Sequence, residues 1–245
     1  MKITTLDEST IQSIGHAFAY YDYGAEHGLI DAFPNREAVA AFICGYVRMA
    51  LRGGILHATS EKHEGFIAYK LPGQKLSLRA MLPLAKGFLG SMGLAQLLRF
   101  SRVMSKGGEG LGKRLDKAKK PYIYVGLVCV PERYQGQGYM RKVLDLAFAE
   151  GDRLGVPVIL DADAKSKSGK YLHLGMELAG TRCPATDACC CLTIRRSCAP
   201  IRRSLPGCTP FFRRSALRSR SSSVRATAAW SRKFMFRNSP ARPAG

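Results

Sequence analysis

The sequence predicts an α/β fold built on a mixed central sheet, and three observations carry that prediction. Helix-spaced apolar residues open the chain, a pair of short strands follows them, and the segment from Tyr122 to Leu160 reads as strand, glycine-rich turn, amphipathic helix and strand. A helix that joins two strands of one sheet makes them parallel, whereas a hairpin makes its strands antiparallel, so both senses are present.

The elements follow in order. From Leu6 to Tyr21, the residues Ile11, Ile14, Phe18 and Tyr21 fall at helical spacing after the candidate caps Asp7 and Ser9. Asn35 caps a second helix whose stripe is Val39, Phe42, Ile43, Tyr46, Val47 and Ala50, and Gly53-Gly54 stops it. Ile55 to Ala58 and Gly65 to Tyr69 read as a hairpin across Thr59 to Glu64. Between Leu71 and Lys120 the pattern is irregular; Leu84, Phe88, Met92, Leu94, Leu97 and Leu98 suggest short helices, and either substrate-facing structure or a merely packed connection is expected there. Tyr122 to Val130 is a β-branched and aromatic strand ended by Pro131. Gly138 to Arg153 is a helix with Met140, Val143, Leu144, Ala147 and Phe148 on one face, and Val156 to Leu160 is the next strand. A short helix from Ser168 to Leu174, closed by Gly175, precedes a strand beginning at Met176.

Charge and cysteine divide the chain at Arg182. The 245 residues carry a formal charge of +20. Residues 1–182 have 25 Lys or Arg against 17 Asp or Glu, whereas residues 183–245 have 13 against 1. Cys44 and Cys129 lie in the first part, in apolar surroundings that read as buried thiols, and six cysteines lie between Cys183 and Cys208. The start has no secretory pattern. The apolar window from Met81 to Phe100 is broken by Pro83, Lys86, Gly87, Gly90, Gly93 and Arg99, so packing, not membrane crossing, is its expected role.

The chemically informative run is Val128-Cys129-Val130-Pro131-Glu132-Arg133-Tyr134-Gln135-Gly136-Gln137-Gly138-Tyr139-Met140. Its two glycines permit a tight turn with close backbone approach, so that N–H groups from about Gln135 to Met140 face one concavity, and the following helix adds its unpaired N-terminal donors. An anion can be held there without a metal. The turn lacks the three-glycine spacing of a dinucleotide fingerprint and the Gly-Lys-Ser/Thr of a nucleotide phosphate loop. Arg133, Gly136 and Gly138, placed between a strand and a helix, resemble the [Gln/Arg]-x-x-Gly-x-[Gly/Ala] motif of the GNAT acetyltransferases, and the resemblance extends over about residues 1–182. It implies a mixed sheet of the acyl-CoA N-acyltransferase type, with acetyl-CoA as co-substrate and no metal. It also implies that Val128, Cys129 and Val130, on a strand splaying from its parallel neighbour, bind pantetheine. Arg133, Gln135, Gly136, Gln137, Gly138, Tyr139 and Met140 would hold the pyrophosphate.

Tyr171-Leu172-His173-Leu174-Gly175-Met176 resembles a second family segment, in which the tyrosine protonates the departing CoA thiolate; that role falls on Tyr171. A hydroxyl pKa near 10 suits donation to a thiolate. The family's preceding asparagine, a pantetheine partner, is missing: Ala164, Lys165, Ser166, Lys167 and Ser168 stand nearby. The amine must lose a proton before it attacks the thioester, so a carboxylate is expected to face the cleft. Asp161 is favoured over Asp163, with Glu132 a further candidate. Cys129 reads as an inward-packed thiol, because no base accompanies it. The five histidines have no metal-ligand spacing.

The expected function is acetyl transfer from acetyl-CoA to an amine of a small molecule or protein; the alternative is a weak or inactive CoA-binding protein of the same fold. Residues 183–245, rich in Arg, Ser and Cys, show neither helical nor strand periodicity and read as a disordered or frame-shifted tail that leaves the C-terminal end of the sheet incomplete. Such a tail is expected to be cut readily at its arginines and to bind polyanions without sequence specificity. Neither a membrane nor a specific nucleic acid is an expected partner. A cytoplasmic location is expected, with the nucleus and the oligomeric state left open.

Overall fold

Asp7 starts the first helix by accepting a hydrogen bond from the Thr10 amide at 2.7 Å, and Ser9 supports that carboxylate through its own hydroxyl. This computed structural model describes residues 1–93, 98, 110–182 and 191–197. The chain divides into a unit of residues 1–202 and a unit of residues 203–245, and all described residues lie in the former. Helix α1 spans Glu8–Ala19 and buries Ile11 and Ile14. Helix α2 spans Arg36–Arg52, with Asn35 accepting from the Ala38 amide at 2.8 Å. Its buried stripe includes Val39, Ile43, Val47 and Ala50, at the helical spacing seen in the sequence.

Strands β1 (Leu56–Ala58) and β2 (Phe66–Lys70) form the expected antiparallel hairpin. Helix α3 (Leu78–Ser91) is capped by Ser77 and packs along α2. It therefore takes the packed role of the two left open for the irregular middle segment, while residues 94–97 and 99–109 of that segment are outside the described residues. Among the described residues no helix is long and apolar enough to cross a membrane.

After α4 (Leu111–Lys117) comes β3 (Ile123–Cys129), then α5 (Tyr139–Leu154), β4 (Val158–Ala162), α6 (Lys165–His173), β5 (Glu177–Arg182) and β6 (Cys191–Arg196). The sheet order is β1-β2-β3-β4-β6-β5. Among the described strands only the β3–β4 pair is parallel; the other neighbours are antiparallel. One apolar layer joins α1 and α2 to Leu56, Phe66, Ala68, Leu127 and Cys129. The other joins α5 to Ile67, Ile123, Val125, Val158 and Leu160. Fully buried aliphatic chains such as Ile123, Val143 and Leu144 each contribute roughly 1.5–3 kcal/mol.

Two features depart from expectation. The first is β6. The sheet does not end at Arg182, because Cys191–Arg196 enters between β4 and β5 and pairs with both, filling the place that was expected to stay empty. An exposed β4 edge would leave a row of backbone donors and acceptors unpaired, and six residues suffice to cover it. The rest of the expected tail lies outside the described residues. The second is a bulge in β3. The register pairs Ala68 with Leu127 and Tyr69 with Val125, leaving Gly126 as an extra residue. The extra residue reverses the strand's facing: Val125 points into the α5 layer, but Leu127 and Cys129 point into the α2 layer.

Candidate active site

The parallel pair parts soon after it forms. Ile123, Tyr124 and Val125 pair with Val158, Ile159 and Leu160, and the register stops there. Strand β3 continues to Cys129 along β2, while β4 continues to Ala162 along β6. Between the diverging strands lies a cavity of about 440 Å³, walled by Phe18 and Tyr21 on one side and by Tyr134, Gln135, Gly136, Gly138, Tyr139 and Met140 on the other.

Ten of the twelve residues singled out in the sequence line this cavity: Val128, Cys129, Val130, Gln135, Gly136, Gly138, Tyr139, Met140, Asp161 and Tyr171. Arg133 and Gln137 do not. The Arg133 guanidinium lies 4.9 Å from the Tyr134 ring centre, and the Gln137 side-chain amide donates to the Arg133 carbonyl at 2.9 Å. These two contacts shape the turn from outside.

The turn is left-handed at both glycines, with φ of 74° at Gly136 and 79° at Gly138. Such angles are costly for any residue with a side chain. Gly138 caps α5 without a side-chain bond, and the amides of Gly136 to Met140 have no hydrogen-bond partner among the described residues. The expected donor run is one residue shorter than proposed from sequence, because the Gln135 amide already bonds the Glu132 carbonyl at 3.0 Å. Five amides at a helix N-terminus form a cradle for an anion. The Gln135 side chain ties the turn to the end of β3 by donating to the Val130 carbonyl at 3.1 Å. These groups fit a pyrophosphate, and the parted strand edge fits an extended amide-bearing arm.

Tyr171 reaches the cavity from α6, and its hydroxyl makes no hydrogen bond among the described residues. Burial, followed by the charge of Asp163, raises its pKa above the ordinary tyrosine value, so the group holds its proton firmly. Cys129 is buried and its thiol is pushed up to about 12 by burial, which suits the packing role expected of it.

The two candidate carboxylates in the cavity differ in their engagement. Asp161 is exposed and accepts from the Tyr124 hydroxyl at 3.4 Å. Asp163 accepts from the Tyr23 hydroxyl at 2.6 Å, the Leu29 amide at 2.9 Å and the Lys167 ammonium at 2.9 and 3.0 Å. Burial alone would raise the Asp163 pKa, but the Lys167 charge and these hydrogen bonds outweigh it and leave the carboxyl below its usual range. Glu132 is exposed and outside the cavity lining.

Sequence reasoning missed the partners of Asp163. The Lys167 ammonium lies 4.4 Å from the ring centres of both Tyr21 and Tyr23. The available signal was the tyrosine cluster Tyr20-Tyr21-Asp22-Tyr23, together with an Asp and a Lys one helical turn apart. Among the described residues no three His, Cys, Asp or Glu groups are gathered as a metal site would require.

A parallel pair that parts and a glycine turn opening a helix beside it are what the sequence resemblance implied, and the antiparallel strand inserted next to β4 completes the sheet that was expected to stay incomplete. The fold is that of the GNAT acetyltransferases.

Solved GNAT-type structures are similar to the chain. One, described as histone acetyltransferase HPA2 and related acetyltransferase from Corynebacterium glutamicum, is 14% identical over 81% of this chain and 98% of that one, with a TM-score of 0.48. Arylalkylamine N-acetyltransferase 2 from Aedes aegypti is 11% identical over 79% and 96%, with a TM-score of 0.47. Nourseothricin acetyltransferase is 20% identical over 32% of this chain, with a TM-score of 0.29. The chain spans 51% of that enzyme and 59% of an Agrobacterium tumefaciens relative, little more than half of each. These likenesses concern architecture alone. No family profile and no curated protein matches the sequence.

Proposed function

We propose that the chain transfers an acetyl group from acetyl-CoA to an amine of a small molecule or protein, by direct attack within a ternary complex. The observation that carries this reading is the cavity between β3 and β4, which brings the amides of Gly136, Gly138, Tyr139 and Met140, without partners among the described residues, to one place with the outer edge of β3 and the Tyr171 hydroxyl. The amides of Gly136 to Met140 would bind the pyrophosphate, and the β3 edge at Val128 to Val130 would hold the pantetheine arm. Acetyl-CoA supplies an acyl group already activated as a thioester.

The chain's own residues then manage protons and position. Asp161 accepts the proton that the amine sheds, directly or through water, while Asp163 remains committed to Lys167 and Tyr23. Tyr171 gives its proton to the thiolate as the carbon–sulfur bond breaks and the carbon–nitrogen bond forms. The decisive experiment is calorimetric titration with acetyl-CoA, combined with an assay for released CoA across panels of small amines and lysine peptides. Acetyl-CoA binding with amine-dependent CoA release supports the reading; absence of acetyl-CoA binding overturns it.

A second reading is a binding protein that holds CoA without turnover. It is favoured by the region where the family's asparagine would stand, since Lys167 there is engaged by Asp163 and Tyr23. Binding without release on any amine would select it.

A further inference from the structure

Helix α3 is apolar on two faces, and α2 covers one of them. On that side Ala80 and Pro83 are buried, Phe88 lies 4.5 Å from the Phe42 ring centre, and Gly87 comes so close to Gly45 that an added side-chain carbon would meet its Cα at 3.3 Å. Leu78, Leu82, Ala85 and Leu89 recur at helical spacing on the opposite face, with Met81 beside them. Leu78 is 87% exposed, Leu89 66%, Leu82 54% and Met81 38%. Single exposed leucines are common, but a stripe of them along the 14 residues of one helix is a surface that calls for a partner.

The charge around this stripe has one sign. From Gly65 to Gly108 the sequence carries seven Lys or Arg and no Asp or Glu. Lys75 is exposed just before α3, and Arg79 and Lys86 are exposed two turns apart on one flank of the stripe. Beyond that flank, Arg48, Arg52 and Glu37 of α2 line a groove with Leu82 and Lys86. The two helices run antiparallel, since Gly53 meets Leu76 and Gly45 meets Pro83, so Arg52 stands beside the start of α3 and Glu37 beside its end. Arg48 is paired with Glu8.

We propose that the outer face of α3 docks on an anionic lipid surface, with Leu78, Leu82 and Leu89 entering the headgroup layer and Arg79 and Lys86 reaching lipid phosphates. The helix is about 21 Å long, too short to cross a hydrocarbon core of about 30 Å but suited to lying along its surface. Long Arg and Lys stems keep their charge at the headgroups while the leucines beside them sink. A single exposed helix is a convex ridge; a fluid surface closes around it, whereas a protein partner needs a matching groove with acidic walls. No described helix crosses a membrane, and docking makes no such demand, so it replaces the sequence expectation of no membrane partner. The stripe shares no residue with the cavity between β3 and β4, which makes the proposal independent of the acetyl-transfer reading.

The test is co-sedimentation of the full-length chain with vesicles of phosphatidylcholine, alone or with about one quarter phosphatidylglycerol. Wild type should bind the anionic vesicles about tenfold or more above the neutral ones. Leu78→Gln/Leu82→Gln/Leu89→Gln keeps every charge, including those of the basic residues 183–245, and should weaken binding to anionic vesicles about tenfold or more at an unchanged melting temperature. Arg79→Gln/Lys86→Gln keeps the leucines and should weaken the same binding about tenfold; it decides the matter alone if the leucine variant unfolds. Absence of vesicle binding by wild type overturns the proposal. So does binding retained in full by either folded variant, which assigns the attraction to charge elsewhere in the chain. A wild-type dimer that the leucine variant converts to a monomer, with no vesicle binding, gives the stripe to a second copy and likewise overturns it.

Discussion

Tyr23 donates its hydroxyl proton to Asp163 at 2.6 Å, joining residues 140 positions apart and fastening the segment after α1 to the end of β4. Lys167 completes the latch from the other side, with its ammonium 2.9 Å from the same carboxylate.

The latch makes stability depend on acid. Side-chain exposures of 20% for Asp163 and 16% for Lys167 make this a half-buried pair, between surface and buried salt bridges. Asp163→Asn leaves the ammonium without its counter-charge and should cost about 2 kcal/mol at neutral pH, read by urea unfolding. The folded carboxyl lies below its unfolded value of about 3.9, so its contribution is complete above that pH and vanishes as pH falls through the folded value. The difference between wild type and Asp163→Asn should therefore close in strong acid. A difference that persists undiminished there would mean that charge is not its source.

Gly138→Val tests the anion cradle. In the ligand-free chain a Cβ at this position meets nothing within 4 Å, so the harm comes from the φ of 79° and from crowding of a bound phosphate. Acetyl-CoA affinity should fall about tenfold or more by calorimetry. Equal affinities would place the binding site elsewhere.

That turn was legible in sequence because positive φ is cheap only for glycine, and Gly136 and Gly138 stand where a strand gives way to a helix. The stripes of α2 and α5 were legible for a similar reason: each is long enough for the helical period to repeat several times. Strand β6 was not. Leu192-Thr193-Ile194-Arg195 alternates for only four residues inside a stretch dominated by Cys and Arg, and its pairing with β4 and β5 is a tertiary fact. The Gly126 bulge was hidden by a strand apolar on both sides of the glycine, and the Asp163 latch by its span of 140 residues.

Tyr171→Phe separates chemistry from binding. The ring keeps its packing, so acetyl-CoA affinity should hold while kcat falls about 100-fold, within the range of general acid catalysis. Burial raises the folded pKa above the ordinary tyrosine value near 10, and the acid must be protonated to act. Wild-type turnover should accordingly show no loss from this group as pH rises through 10. Steady-state profiles of both proteins decide the matter, and equal kcat would leave Tyr171 a packing residue.

The final prediction concerns where the domain can be cut. A chain ending at Arg182 keeps β5 but removes β6, and β6 carries five registered pairs with β4 and five with β5. Without it, β5 loses its neighbour in the sheet, and Val158 to Ala162 present an open edge beside the cavity. An open, apolar edge of this kind invites association between molecules. The Arg196 guanidinium, 3.2 Å from Asp152 and 4.2 Å from the Phe148 ring centre, also ties β6 to α5 and would be lost. A chain ending at Arg202 keeps every one of these contacts, since that residue closes the first unit. The 1–182 chain should therefore aggregate or melt about 10 °C or more below the full-length protein. The 1–202 chain should melt within about 2 °C of full length and bind acetyl-CoA with the same affinity. Light scattering and thermal unfolding of the three chains give the answer. A soluble 1–182 chain with full-length stability would show that β6 is dispensable to the sheet it enters.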